Sequence, residues 1–197
     1  KFTYSKNLAA SIILSFLALI LFDSCTKDSS DQLSKTTEEY SADFILSYYD
    51  QICKTVKTTQ GFFPPQAARA YGYIGIAQYE AVVNGIENAK SLQNQLNGFA
   101  SFQLPTPIQG ELYNWSIASN AATARMMKYM FDKNLTPANR LKIDSLEIFY
   151  HNQLSAGEEV SIVSRSQAYG QNIADVVYNY SKTDGGHESY LDPFQLP

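Results

Sequence analysis

The sequence predicts an all-α protein built from five helices in a bundle-like array. Apolar residues recur at spacings of three and four in five separate stretches, and no run of alternating β-branched residues is long enough for a strand. With 45% hydrophobic and 17% charged residues, the 197-residue chain has the composition of a globular protein. Its net charge of −4 gives no reason to expect binding to nucleic acid.

The N-terminus is interpreted as a signal peptide followed by a lipid anchor. Lys1 and Lys6 precede an apolar stretch over 8–22, which is too short to span a bilayer comfortably. A small residue then precedes Cys25, a pattern that resembles the lipobox of bacterial lipoproteins, although Asp23 stands where a small uncharged residue is usual. The resemblance implies an acylated Cys25 and attachment to the bacterial outer membrane, on its periplasmic or surface face. The alternative is an ordinary signal peptide with an incidental cysteine.

Helix one is predicted to begin at a capping box formed by Thr36 and Glu39 and to end near Gly61. Cys53 lies on its apolar face, so we favour a buried small hydrophobe over a reactive thiol. With Cys25 acylated, no disulfide is left to form within the segment. The buried positions of helix one are expected to be Ile45, Tyr48, Ile52 and Val56.

Helix two is predicted over 62–85, with Pro64 and Pro65 in its first turn and Asn84-Gly85 as its stop. It carries small residues on two faces, which favours close packing of neighbouring helices from both sides. Glu80 is interpreted as a structural carboxylate, bonded by Arg69 or tyrosine hydroxyls or pointing outward, rather than as a catalytic group. The two faces are Ala67, Ala70, Ile74, Ala77 and Ala81, and beside them Ala68, Gly72, Gly75 and Val82.

Three further helices follow a loop over 91–110. Thr136 and Pro137 are expected to begin helix four, and a second capping box at Ser155 and Glu158 to begin helix five. The expected buried positions are, in helix three, Leu112, Trp115, Ala118, Ala122, Met126 and Tyr129; in helix four, Ile143, Leu146, Tyr150 and Leu154; and in helix five, Val163, Ser166, Gly170, Ile173, Val177 and Tyr180. Trp115 is interpreted as a core anchor, and Met126, Met127 and Met130 as gap-fillers rather than metal ligands.

The order of these patterns resembles the opening helical region of vanadium-dependent haloperoxidases, which are relatives of the type-2 phosphatidic acid phosphatases. The resemblance runs from about residue 40 to the end of the sequence. It is carried by Pro-Pro, Ala-Ala-Arg and Ala-x-Tyr-Glu-Ala within 62–85, by the loop 95–98, by the alanine-rich helix of Trp115, and by the run 180–186.

The resemblance places the chemistry of the family in a later part of the chain. It implies a Lys followed by Arg-Pro, a Ser-Gly-His, and an Arg with a second His, which together hold vanadate or attack a phosphate ester. None of these motifs occurs in the 197 residues. We therefore expect no catalytic, cofactor-binding or metal-binding residue here and no cofactor in this segment, with vanadate as the cofactor of a longer protein. His187 is interpreted as an exposed loop residue, and His151 as structural or solvated.

The expected organisation is a signal peptide over 1–24, the lipidated Cys25 with a polar tether over 25–38, a helical domain over 39–186, and a loop over 187–197 that leads into a C-terminal catalytic part. The partners expected are that C-terminal helical domain and the membrane, with no nucleic acid. On this interpretation the segment is the scaffold of a haloperoxidase-like or acid phosphatase-like enzyme and is inactive alone. The alternative is a non-enzymatic helical surface lipoprotein, a binding module whose 14 Tyr and 11 Phe contact sugars or a partner.

Overall fold

The computed structural model describes residues 35–192, and the predicted signal peptide, Cys25 and the last five residues lie outside this range. Five α-helices were found: α1 Asp43–Thr58, α2 Pro64–Val82, α3 Trp115–Phe131, α4 Pro137–Leu154 and α5 Val160–Ser181. Short 3₁₀ turns cover Thr37–Glu39, Val83–Gly85, Leu92–Asn94, Phe99–Ser101 and Asp132–Asn134. No strand occurs between residues 35 and 192, and the predicted all-α class with five helices is confirmed.

Helix α3 is the centre of the fold, because α2, α4 and α5 all pack against it. Almost every residue of α3 is buried, and most of them are small: alanine, serine, threonine or asparagine. Short side chains let three helices approach one axis closely. The closest approach involves Gly170 of α5, where a β-carbon would overlap the backbone of Ala118 in α3. Trp115 and the three methionines are buried in this core, which confirms their predicted roles.

Two helix starts follow the cap chemistry of the sequence. The hydroxyl of Thr136 accepts a hydrogen bond from the amide of Asn139 at 3.2 Å, and Pro137 occupies the first position of α4, as predicted. Helix α3 is capped by Asn114, whose side-chain oxygen accepts from the amide of Ile117 at 3.1 Å. This cap was missed, because the pattern placed Leu112 inside the helix.

Both predicted capping boxes were wrong as helix starts. Thr36 and Glu39 do pair, with the Thr36 amide 3.3 Å from the Glu39 carboxylate, but they cap the start of the 3₁₀ turn that precedes α1. Ser155 ends α4 instead of starting α5, and the side chain of Glu158 accepts a hydrogen bond from the Asn114 amide group at 2.9 Å. The first box is formed but starts a short turn that ends before α1, whereas at the second place a tertiary contact engages Glu158.

Helix α2 buries one of its two small-residue faces. The face of Ala70, Ile74, Ala77 and Ala81 is fully buried against the rest of the bundle, as predicted. The prediction of close neighbours at Gly72 and Gly75 was wrong for the described residues, since a β-carbon on either glycine would have no atom within 4 Å. The helical path of α2 continues as the 3₁₀ turn Val83–Gly85 and ends where the stop was predicted, and a β-carbon on Gly85 would collide with the indole of Trp115.

Helix α4 forms an outer layer with α1. Ile143 is buried, and the phenol of Tyr150 packs between Phe44 and Tyr48 at centroid distances of 5.7 and 6.2 Å. The opposite side of α4 leaves apolar side chains exposed, with Leu141, Ile148 and Phe149 between 60% and 66% accessible. Among the helices of residues 35–192, none combines the length and apolar character needed to cross a membrane.

Candidate functional site

Glu80 is the buried carboxylate that most invites a catalytic interpretation, and its contacts are structural. Only 1% of the residue is exposed, and its carboxylate accepts hydrogen bonds from the Leu92 amide at 2.6 Å and from the Ser91 hydroxyl at 2.9 Å. Burial raises the pKa of Glu80 above its ordinary value, and these two hydrogen bonds partly oppose the rise. The carboxylate therefore holds the loop that begins at Ser91 onto α2, without the arginine or tyrosine partners that the sequence suggested.

Arg69 fastens the end of α5. Its Nε donates to the Asp184 carboxylate at 2.7 Å, and a terminal nitrogen donates to the carbonyl of Ser181 in the last turn of that helix. A cation is well placed there, because the carbonyl end of a helix carries partial negative charge. Asp184 also accepts from the hydroxyl of Tyr73 at 3.0 Å, which links α2 to the turn after α5.

The other partly buried cations are each neutralised by carboxylates in different parts of the bundle. Arg125 forms a two-bond pair with Asp175 at 2.6 and 3.0 Å. Lys128 contacts two acidic residues of α4, the nearer being Glu147 at 2.7 Å. Arg165 pairs with Glu111. A tetrahedral oxyanion such as vanadate is held by several converging cations and donors. The residues described here do not supply such a set, so no step through vanadate is assigned to them.

The two histidines lie on different elements of the fold. His187 lies after α5, with its ring 5.9 Å from that of Tyr178 and partly covered by it, whereas His151 is on α4. Over residues 35–192, no group of three or more His, Cys, Asp or Glu side chains is arranged to hold a metal ion.

Cys53 was predicted to be buried, and this is wrong. The thiol is exposed, and the hydroxyl of Tyr71 lies 3.3 Å from its sulfur. Cys53 follows the fully buried Ile52 by one residue, and a step of about 100° around the helix turns it away from the core.

A groove that the sequence did not predict lies between the start of α1 and α2. It has a volume of about 300 Å³, its walls include Phe44, Ile45 and Gly75, and Ser116 and Ser119 of α3 also line it. Most of its surface is apolar, and none of its lining residues is charged.

Gln78 lines this groove, and only one of the two polar atoms of its side-chain amide is hydrogen-bonded. The residue is 9% exposed, and its side-chain oxygen accepts from the Tyr49 hydroxyl at 3.0 Å. Its amide nitrogen is buried and has no hydrogen-bond partner. A buried donor left without an acceptor costs about 1–3 kcal/mol. The sequence held one signal for this place, the pair of glycines in α2.

Comparison with known proteins gives a similarity to a solved structure. No protein-family model matches the chain, and no curated protein matches it. Among solved structures, the chain is similar to the crystal structure of a bacterial vanadium-dependent iodoperoxidase, with a TM-score of 0.60 and 24% identity over 78% of this chain. The match covers 34% of the iodoperoxidase, so the chain corresponds to about a third of that protein's length. The two proteins share a fold over this part.

Proposed function

We propose that the chain is the N-terminal helical scaffold of a larger, lipid-anchored enzyme of the vanadium haloperoxidase and acid phosphatase type. The observation that supports this proposal is the shared fold with part of a vanadium-dependent iodoperoxidase, of which this chain spans about a third. The haloperoxidase-like patterns of the sequence lie in α2, in the loop that follows it, in α3 and at the end of α5. In the whole protein, bound vanadate would supply the activation of hydrogen peroxide for halide oxidation, or the related site would hydrolyse phosphate esters.

The polar groups of the bundle support a scaffold role. Glu80 fixes a loop, Arg69 fastens the end of α5, and Arg125 joins α3 to α5 through Asp175. Side chains so engaged position helices and are not free to bind an oxyanion. The residues that hold vanadate or a phosphoryl group would therefore belong to the remainder of the longer polypeptide.

The proposed anchor sets where such an enzyme would work. Acylation of Cys25 would leave a polar tether before the first described residue, Lys35. Ten residues span at most about 35 Å when fully extended, so the helices would stay close to the bilayer surface. One acyl chain gives marginal membrane binding, whereas two or more give stable anchoring.

The experiment that tests the proposal is to read the gene past Pro197 and assay the product. We expect a Lys followed by Arg-Pro, a Ser-Gly-His and an Arg-to-His pair in the continuing sequence. The purified product, incubated with orthovanadate, should oxidise iodide or bromide with hydrogen peroxide, or else hydrolyse p-nitrophenyl phosphate without vanadate. A continuing sequence without these motifs, or a product with neither activity, would reject the enzymatic proposal.

The uncharged groove favours a second candidate, the non-enzymatic binding module. A binding module should be monomeric and stable as these 197 residues and should bind its ligand alone. A scaffold separated from its partner should instead expose apolar surface and bind a hydrophobic dye. Size-exclusion chromatography with dye fluorescence on the 197-residue chain distinguishes the two.

A further inference from the structure

Helix α2 presents a partly uncovered strip beside its buried face. The strip consists of Ala68, Gly72, Gly75 and Val82, which share one side of the helix at spacings of three, four and seven. Ala68 and Gly72 are exposed, and Gly75 and Val82 are half-buried. From Ala68 to Val82 it extends about 21 Å along the helix.

The aromatic side chains beside the strip do not cover it. Tyr71 is bonded to Cys53 of α1, and the Tyr79 hydroxyl donates to the carbonyl of Lys90 in the following loop at 2.9 Å. Each phenol is thus held to one side, and the glycine backbone between them stays open. Both glycines lower the helix propensity of α2, and no contact in residues 35–192 uses the space that they leave.

Gln78 gives a second and independent sign of a missing neighbour. It lies at the edge of the strip and lines the groove, the residue is only 9% exposed, and its buried amide nitrogen lacks an acceptor. Buried donors in native proteins nearly always have a partner. An occupant that carries a carbonyl, hydroxyl or carboxamide oxygen at this point would provide one.

We propose that the strip and its groove receive an α-helix from the remainder of the longer polypeptide, an inference that rests on the proposed function. That helix would contact Gly72 and Gly75 through small or short apolar side chains and would place one hydrogen-bond acceptor opposite Gln78. The solved iodoperoxidase supports the choice of occupant, because about two thirds of its length has no counterpart in this chain. A charged ligand does not suit a groove without charged walls.

A second copy of the same surface fits less well. Two copies related by a two-fold axis would bring concave surface against concave surface, whereas helix packing sets a ridge into a groove. The strip also exceeds what a small molecule in a cavity of about 300 Å³ would cover.

The test compares thiol labelling at the strip with labelling at an exposed control in a Cys25→Ser, Cys53→Ser background, which removes both native thiols. Gly72→Cys should react with a maleimide as fast as Ala138→Cys in the 197-residue chain, since both positions are exposed there. In the longer polypeptide, Gly72→Cys should be protected at least about tenfold relative to Ala138→Cys, because a packed helix must open before labelling. Equal labelling of the two thiols in the longer polypeptide would overturn the proposal.

A second test uses Gly75→Ala, which should change the melting temperature in opposite directions in the 197-residue chain and in the longer polypeptide. Gly75→Ala should raise the melting temperature of the 197-residue chain by about 2–4 °C, because alanine is the better helix former and its β-carbon meets no atom. The same substitution should lower the melting temperature of the longer polypeptide, where the added methyl group meets the docked helix. A rise in both proteins would contradict the proposal.

The outcomes separate this inference from the proposed function. A longer polypeptide with vanadate-dependent activity but a freely labelled Gly72→Cys would retain the enzyme and reject the docking surface. Protection of Gly72→Cys in the 197-residue chain that appears only at high protein concentration would assign the strip to a second copy and reject the proposed occupant. A gene without further coding sequence would reject both.

Discussion

Gly170→Ala should destabilise the fold strongly, because it adds a methyl group at the closest contact between α3 and α5. A β-carbon on Gly170 would lie 2.7 Å from the carbonyl carbon of Ala118 and 2.9 Å from its Cα, and closer still to its carbonyl oxygen. Unstrained carbon pairs prefer about 3.5–4.0 Å, so the two helices must separate by roughly 1 Å. The obstacle is backbone rather than a flexible side chain, which places the cost near the upper end of overpacking values, at about 3 kcal/mol.

The measurement is thermal unfolding followed by circular dichroism. For a domain of this size, about 3 kcal/mol corresponds to a fall in melting temperature of roughly 6–12 °C. In the 197-residue chain, Gly72→Ala is the matched control, because its β-carbon would meet no atom within 4 Å there. It removes a helix-destabilising glycine worth about 1 kcal/mol and should raise the melting temperature by about 2–4 °C. An unchanged or raised value for Gly170→Ala would refute the assigned packing of α3 against α5.

Three further substitutions test the buried polar groups and the thiol. Burial raises the pKa of Glu80 above its ordinary value, so the folded state holds this proton more tightly; the stability that it contributes is complete below about pH 4.5 and is lost as pH rises through the folded-state pKa. The free energy of unfolding of Glu80→Gln minus that of wild type, measured with urea, should therefore be larger at about pH 7 than at about pH 4. An equal difference at the two pH values would contradict the assigned burial. Tyr48→Phe removes the hydroxyl that donates to the buried side-chain oxygen of Asn120 at 2.7 Å, and urea unfolding should show a loss of about 1–3 kcal/mol. In a Cys25→Ser variant, Cys53 should react with Ellman's reagent in the native state, and reaction only after denaturation would contradict its exposure.

The positions of the helices could be predicted because burying one face of a helix requires apolar residues at spacings of three and four. The stripe of Ala70, Ile74 and Ala77 in α2 was identified from spacing alone, and it is fully buried. The start of α4 was predictable for a local reason: the Thr136 hydroxyl reaches its own helix, so no distant residue decides the outcome.

Features that depend on distant residues were not predictable. Glu158 has the spacing of a capping residue, yet it accepts from Asn114, which lies 44 positions earlier in the sequence. Glu80 is bonded by the loop that begins at Ser91 rather than by Arg69, because the loop folds back over α2. The half-engaged amide of Gln78 could not be inferred either, since its environment combines α1 with α2.

The junction between the tether and the bundle is where the proposed anchor would act on the fold. The Thr37 hydroxyl donates to the carbonyl of Val82 at 2.9 Å, across 45 residues of sequence, and thereby ties the first described turn to the end of α2. Gly85 lies three residues after Val82, and because it lacks a β-carbon, both the Thr37 hydroxyl and the Trp115 indole can approach its backbone. The first described turn is thus tied to the end of α2 before α1 begins. A pull on the tether would therefore act first on the end of α2, through the hydrogen bond of Thr37, rather than on the exposed surface of α1.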